Sequence, residues 1–210
     1  MDHVANLLER YPALSGIEGS IRAAADILKG TFAHGGKLLI CGNGGSAADS
    51  AHIAGELCKG FLLRREMTAE EKNMMKSACP QIEDDLLNSL QQGLPAIALT
   101  DAAPVVTATA NDCSPSNVFA QQVMALGNIG DTLLAISTSG NAENVYNAAL
   151  VARARGLFVI GLTGASGGKL AEISDIAVKA PETETYKVQE LHLPIYHALC
   201  AAVEEHFFSH

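Results

Sequence analysis

The sequence predicts an α/β protein with a doubly wound, mostly parallel five-stranded sheet and helices on both faces. Five short apolar runs punctuate the chain. Each is followed by a turn-forming stretch and then a segment of helical periodicity. Continuous apolar strands joined by helices indicate a parallel sheet that is covered on both sides. The predicted strands are 37–42, 95–100, 131–138, 157–163 and 175–180.

Length and composition favour one domain that carries an inserted segment. A chain of 210 residues is long enough for one well-packed core, and two full domains would fit poorly. With 48% hydrophobic and 18% charged residues, much of the chain is expected to be buried. We therefore predict a single domain over 1–210, with an N-terminal helical region (1–36), a helical insertion (62–93) and a C-terminal helix (181–210).

The charge balance excludes some classes of partner. The formal net charge of −9 opposes binding to a nucleic acid backbone. Apolar stretches are interrupted well before the length of a bilayer span, and no basic region precedes an apolar core at the N-terminus. We expect a soluble cytoplasmic protein without nucleic acid or membrane partners. Any bound phosphate must be held by short-range backbone N–H and hydroxyl donors.

The first helix with a clear pattern precedes the first strand. In the segment 21–36, five apolar side chains recur at helical spacing on one stripe, and two glycines supply a C-terminal stop. This pattern predicts a packing helix. The stripe consists of Ile21, Ala24, Ala25, Leu28 and Phe32.

A glycine-rich turn, "GNGGS" (42–46), follows the first strand directly. Gly42, Gly44 and Gly45 can adopt positive φ and let a ligand approach the backbone. Ser46 and Asp49 are predicted to form a capping pair at the start of the next helix. In open parallel sheets ligands bind beyond the carboxyl ends of the strands, so a phosphate cradle is one interpretation. A tight turn without a ligand is the other.

The helix after this turn carries His52 and Glu56. Their spacing of four residues puts both side chains on one face, where they can converge on one ion or substrate. The alternative is an ordinary surface ion pair.

The segment 62–93 is charged and broken by Pro80, unlike its surroundings. It predicts two short amphipathic helices, with Thr68 as N-cap and Glu71 at the third helical position. It follows soon after the helix that carries His52, so it could cover the site or enlarge a subunit contact.

A second polar turn, "STSGNAEN" (137–144), follows the third strand and again opens a helix. Two such turns at one edge of a sheet indicate a phosphorylated ligand more strongly than one does. The stretch "ANDCSPSN" (110–117) is a common turn composition and by itself implies no ligand.

The C-terminal helix offers Gln189, Glu190, His192 and His197. Gln189 and His197 are about 12 Å apart along a straight helix. One helix could bring both to one metal ion only with extended side chains or a bend at Pro194; otherwise different subunits must contribute. Pro194 predicts a kink or a late helix start.

The motifs "CGNGGS", "ISTSGN" and "VIGLTG", in this order, resemble those of the sugar isomerase (SIS) domain. "AHxAxEL" and "VQELHxxxxH" narrow the resemblance to the phosphoheptose isomerases, over almost the whole chain apart from 62–93. The resemblance implies conversion of D-sedoheptulose 7-phosphate to D-glycero-D-manno-heptose 7-phosphate. It also implies zinc at the active site and a homotetramer with sites at subunit interfaces.

The resemblance also assigns residues to roles. It implies Glu56 and His197 as the acid/base pair, with Glu56 abstracting the carbon proton. The implied zinc ligands are His52, Glu56, Gln189 and His197. The implied substrate contacts, to which Glu56 and Gln189 also belong, are Asn43, Gly44, Gly45 and Ser46 for the sugar phosphate, Asn111 and Asp112 for hydroxyls, and Ser137, Thr138 and Ser139 for the phosphate.

Two departures leave alternatives open. Ala142 stands where the family commonly has a serine, and Tyr186 where it often has an aspartate. An isomerase or sensor of a different phosphosugar is therefore one alternative. A non-catalytic SIS binding protein is another, but such relatives lack the glutamate and the last histidine, so Glu56 and His197 argue against it.

Overall fold

The computed structural model describes residues 1–209 and confirms the predicted fold class. Five parallel strands form one sheet in the order β2-β1-β3-β4-β5. Each strand lies within its predicted apolar run. The strands are β1 (Leu38–Cys41), β2 (Ala96–Ala98), β3 (Thr132–Ser137), β4 (Phe158–Thr163) and β5 (Ile176–Lys179).

Helices connect the strands and cover both faces of the sheet. Two short 3₁₀ turns, Pro12–Ile17 and Pro115–Asn117, accompany them. In the part of the chain that the structure describes, no helix combines the length and apolar character needed to cross a bilayer. The helices are α1 (His3–Arg10), α2 (Glu18–Ala33), α3 (Gly45–Cys58), α4 (Ala69–Ala78), α5 (Asp84–Ser89), α6 (Ala103–Asp112), α7 (Val118–Leu126), α8 (Glu143–Ala154), α9 (Gly168–Ile173) and α10 (Thr185–Phe208).

The sheet separates two hydrophobic clusters, because alternate residues of a strand point to opposite faces. Leu38 and Ile40 of β1 join one cluster, which includes side chains of α1, α2, α3 and α10. Leu39 joins the other, which includes side chains of α7, α8 and α9. Both faces of the central strands are therefore buried, which explains their continuous apolar sequence.

The predicted packing helix is α2. All five residues of its apolar stripe are buried, and its end is marked by Gly35 in the left-handed region at φ 74°. The late helix start predicted at Pro194 is wrong: α10 begins at Thr185 and runs through Pro194 to Phe208. Pro194 is buried in a helix whose packing stabilises it despite the lost N–H.

The insertion 62–93 forms the two predicted helices, α4 and α5. Thr68 and Glu71 make the predicted capping box, in which the Thr68 hydroxyl accepts from the Glu71 N–H and Glu71 accepts from the Thr68 N–H. No residue of α4 is buried. The two ends of the insertion meet, since the Gln92 N–H donates to the Arg65 carbonyl at 2.7 Å and Glu66 bridges to Gln91.

A buried ion pair fastens the first end of the insertion to α10. The Arg65 Nε donates to Glu204 Oε1 at 2.8 Å, and both side chains are almost fully buried. The same guanidinium donates to the carbonyls of Leu57 and Glu56 at the end of α3. Burial alone would raise the pKa of Glu204, but backbone N–H groups, including that of Phe61, and Arg65 hold it below its usual value.

Candidate active site

The two polar turns meet where the strand order reverses. β1 pairs with β2 on one side and with β3 on the other, so their crossovers lie on opposite faces and leave a crevice at the carboxyl ends. The turn 42–46 follows β1, and the turn 137–144 follows β3. Asn43 and Asn144 join them through two reciprocal amide hydrogen bonds of 2.8 and 2.9 Å.

The first turn requires glycines, because one adopts positive φ and another is closely approached by a side chain of α10. Gly44 has φ 56° and is the N-cap of α3. A Cβ on Gly45 would lie 2.5 Å from Gln189 Nε2, so only glycine lets that side chain lie over the helix start. The predicted capping pair of Ser46 and Asp49 is wrong, because α3 begins one residue before Ser46 and no side chain caps it.

The second turn places its hydroxyl groups at the start of α8. Ser137 is buried at the end of β3, and the Ser139 Oγ accepts from the Asn141 N–H at 3.1 Å. Gly140 has φ 67°, and a Cβ there would lie only 1.9 Å from the carbonyl oxygen of Gly167. Ala142 is the N-cap of α8 and offers no side-chain hydrogen bond there.

Helices α3 and α10 pack side by side and run in the same direction. Gly45, at the start of α3, contacts Gln189, while His52, two turns later, contacts Tyr196. The later turns of both helices therefore come together, and α3 carries its polar residues along the face that meets α10.

His52 and Glu56 contact each other in the predicted way. His52 Nε2 lies 3.1 Å from Glu56 Oε1, and the Lys59 Nζ donates to Glu56 Oε2 at 3.1 Å. The Glu56 side chain is 16% exposed, whereas that of His52 is 43% exposed. One carboxylate thus has a cation on one oxygen and an imidazole on the other.

The second ring nitrogen of His52 lies next to the buried hydroxyl of Tyr196. His52 Nδ1 lies 3.0 Å from the hydroxyl of Tyr196, which donates to Asp49 Oδ1 at 3.2 Å. Burial and the neighbouring Asp49 raise the pKa of Tyr196, so the phenol stays protonated at neutral pH. Burial also raises the pKa of Asp49, opposed by the Tyr196 hydrogen bond and by His52.

His197 completes this cluster from α10. Its ring centroid lies 5.1 Å from that of His52 in an edge-to-face arrangement and 5.5 Å from that of Phe61. Burial lowers the pKa of His197, as does the charge of His52, while Glu56 opposes the shift. The ring is therefore neutral at pH 7 and can accept a proton.

The structure groups some of the predicted site residues and separates others. His52, Glu56 and His197 lie together, whereas Gln189 contacts the first turn of α3, about 10 Å along the helix axis from His52. Asn111 and Asp112 end α6, where the Asn111 amide donates to the Asp112 carboxylate at 2.7 Å.

Two further residues of α10 that the sequence singled out, Glu190 and His192, do not contact the cluster. Glu190 is exposed. His192 is fully buried, and its Nε2 lies 3.1 Å from the carbonyl oxygen of Thr163. His192 is therefore a core histidine.

The donor set matches zinc in its chemistry. Imidazole nitrogen and carboxylate oxygen are common zinc ligands, and His197 Nε2 is buried without a hydrogen-bond partner among the described residues. Within residues 1–209, however, no three His, Cys, Asp or Glu side chains form a ready metal-binding group. With Gln189 near Gly45, the predicted set of four is not assembled by one chain in this conformation.

Three residues of this region escaped the sequence analysis: Tyr196, Lys59 and Arg65. Asp49, His52 and Glu56 share one helix face, a signal that could have placed Asp49 with the cluster, but the sequence was interpreted as pairing Asp49 with Ser46. No spacing rule signalled Tyr196, because its partners lie on another helix.

Comparison with known families matches this chain to the SIS domain over residues 1–86 and 85–164. The phosphoheptose isomerase of Rhodospirillum rubrum is 40% identical over 186 residues, which cover 89% of this chain and 85% of that protein. The phosphoheptose isomerase of Roseiflexus sp. is 42% identical over 188 residues, which cover 90% of this chain and 82% of that protein.

Solved structures agree with these relatives. The phosphoheptose isomerase of Neisseria gonorrhoeae superimposes with a TM-score of 0.75 and 33% identity, over 97% of this chain and 95% of that one. The phosphoheptose isomerase of Francisella tularensis has a TM-score of 0.75 and 32% identity, over 93% and 91% of the two chains. The likeness thus spans the sheet and both turns.

Proposed function

Because this chain belongs to the phosphoheptose isomerases, a family of SIS-domain enzymes, we propose that it interconverts D-sedoheptulose 7-phosphate and D-glycero-D-manno-heptose 7-phosphate. One observation carries the proposal: Glu56 from α3 and His197 from α10 both lie next to His52. A carboxylate and a neutral imidazole are thus available to one small molecule.

The proposed reaction moves a proton between two adjacent carbons through an enediol. Glu56 removes the proton from C1 of the ketose and returns it to C2. His197, neutral at the outset, takes the proton of the C1 hydroxyl and delivers a proton to the C2 oxygen, so its ring is neutral again at the end. Lys59 holds the second oxygen of Glu56, which orients the carboxylate for this transfer.

The crevice between the two turns would hold the phosphosugar. Hydroxyl groups of Ser137, Thr138 and Ser139, with backbone N–H groups at the start of α8, are the proposed phosphate donors. Gly44 and Gly45 allow close approach to the start of α3. The remaining proposed contacts are Asn43, Ser46, Glu56, Asn111, Asp112 and Gln189.

We propose a zinc ion at the cluster, held by His52, Glu56 and His197 with Gln189 as the fourth ligand. When bound, zinc would polarise the substrate carbonyl and stabilise negative charge on oxygen. Because Gln189 lies away from the other three, we propose that assembly into a homotetramer, with sites at subunit interfaces, completes this set. Exposed apolar side chains such as Met124 and Leu150 are consistent with such contacts.

Glu56→Gln tests the assignment of the base. We expect a loss of about 10²- to 10⁴-fold in kcat with substrate binding retained, because the amide cannot accept the carbon proton. Isomerisation is measured in a coupled assay, with zinc content and molecular mass determined on the same sample. Glu190→Gln, at an exposed glutamate of α10, is the matched control and should keep full activity. A Glu56→Gln enzyme as fast as the wild type would refute the assignment.

A different phosphosugar is the second candidate substrate, and two observations favour testing it. Ala142 leaves the start of α8 without a side-chain hydroxyl, and Tyr186 is 57% exposed near the start of α10. A panel of ketose phosphates of different lengths in the same assay separates the two candidates, because the higher kcat/KM identifies the better substrate.

A further inference from the structure

The buried hydroxyl of Tyr196, on α10, contacts two polar residues of α3. Its hydroxyl lies 3.2 Å from Asp49 Oδ1 and 3.0 Å from His52 Nδ1, and the residue is only 1% exposed. Asp49 and His52 are three residues apart, so both face α10. The hydroxyl is too buried to be a group that reaches substrate.

The Tyr196 hydroxyl can donate only one hydrogen bond, although it lies near both Asp49 and His52. A phenol has one proton, and an ionised carboxylate can only accept, so the Tyr196 proton points to Asp49. The Tyr196 oxygen is then an acceptor toward His52, and the proton of a neutral His52 ring lies on Nδ1. The lone pair of His52 is left on Nε2.

That lone pair faces another acceptor. His52 Nε2 lies 3.1 Å from Glu56 Oε1, so in a neutral ring two electron pairs face each other. The Lys59 ammonium on the other oxygen of Glu56 weakens this repulsion in the metal-free protein, and a cation bound between the two atoms would remove it.

We propose that Tyr196 and Asp49 are positioning residues that hold His52 in the Nδ1–H tautomer and so keep its Nε2 free to bind a cation together with Glu56. The inference rests on the proposed function, in which His52 and Glu56 share a zinc ion. Metal-binding histidines usually donate their other ring N–H to a fixed acceptor. Here a tyrosine backed by an aspartate fills that role.

Removing the Tyr196 hydroxyl should reverse the tautomer. Among residues 1–209, Tyr196→Phe leaves Glu56 as the one hydrogen-bond acceptor near the His52 ring, so the proton moves to Nε2. Nitrogen-15 NMR of metal-free, ¹⁵N-histidine-labelled protein, at a pH where the ring is neutral, reports which nitrogen is protonated. His52→Asn identifies the resonances. Zinc affinity of Tyr196→Phe, measured by titration, should fall about 10- to 100-fold.

Two further variants make the test decisive. Asp49→Ala should give the same reversal with Tyr196 intact, and it replaces Tyr196→Phe if that variant does not fold. Asp49→Asn keeps an acceptor oxygen and should largely restore the wild-type tautomer. Tyr11→Phe removes a hydroxyl at the end of α1 and should change neither readout.

The outcomes separate this inference from the proposed function. An Nε2–H tautomer in the wild type, no change in both variants, or a changed tautomer with unchanged zinc affinity would each overturn the role of Tyr196 and Asp49. A wild-type protein with the expected tautomer but no isomerase activity on any phosphosugar would instead refute the proposed function.

Discussion

Two histidines of α10 show how burial decides the chemistry of a side chain. His192 turns into the core beneath the sheet and contacts the carbonyl of Thr163, whereas His197 turns toward α3 and meets His52. Burial lowers the pKa of His192 to about 4. The ordinary value for histidine is about 6.5, so folding keeps this ring neutral over a range in which the unfolded chain binds a proton.

His192 should therefore make the protein sensitive to acid. Between about pH 6.5 and pH 4 the unfolded state binds more protons than the folded state, so stability falls as the pH falls. The full loss below pH 4 is about 3 kcal/mol. Urea unfolding at several pH values measures it. In His192→Gln, which can still donate to the Thr163 carbonyl, that part of the pH dependence should disappear; an unchanged profile would contradict the assignment.

At the residue scale, spacing predicted contacts within a helix but not between helices. The shared helix face of His52 and Glu56 is confirmed, because four residues along a helix fix their relative position, and the two side chains contact each other directly. The role assigned to Asp49 was wrong, because Tyr196 offers it a hydrogen bond from α10. A pattern in one segment cannot show which partner a distant segment supplies.

Among the elements, the insertion depends on one buried ion pair. Neighbouring arginines differ completely: Arg65 is buried against Glu204, while the Arg64 side chain is 73% exposed and pairs with Glu66 at 3.0 Å on the surface. Glu204 also accepts from backbone N–H groups of the segment 61–63. Two charges removed from water must stabilise each other, so neither is replaceable alone.

Arg65→Ala should destabilise the protein by about 3 to 5 kcal/mol, since it leaves the Glu204 charge buried without its partner. Arg64→Ala, one residue away, should change stability by at most about 1 kcal/mol. The free energy of unfolding from urea titrations compares the two. Equal effects of both substitutions would show that the buried pair does not anchor the insertion.

The sequence predicted the start of a helix correctly where neighbouring residues alone determine it. The Thr68–Glu71 box starts α4 as predicted, because a capping box is a local arrangement. The start of α10 was not predictable in this way. Packing of its apolar face against the core stabilises the helix through Pro194, and no local rule includes that contribution.

For the whole molecule, net charge and ligand charge have the same sign. The chain has a formal charge of −9, so its long-range field repels a phosphosugar, and binding must depend on short-range contacts within the site. Raising NaCl from about 0.01 to 0.15 M shortens the Debye length from about 30 to about 8 Å. We expect kcat/KM to rise over this range. A fall would show that a local positive field outweighs the net charge.

The sequence predicted the class of the sheet and its five strands, since buried parallel strands are continuously apolar. The sequence did not predict that β1 and β3 are neighbours in the sheet. The strand order makes them neighbours, and this brings the two turns together. The approach of α3 and α10 likewise depends on packing over the finished sheet. These long-range relations come from the fold and not from any single segment.

The two ends of the insertion lie side by side. The N–H of Gly60 donates to the side-chain oxygen of Gln91 at 3.1 Å, and the chain crosses back beside itself at Arg65 and Gln92. Because entry and exit are adjacent, this segment can be shortened or replaced by design with little disturbance of the sheet. The same geometry makes the outer end of the insertion a practical place to graft an epitope or a fluorescent label.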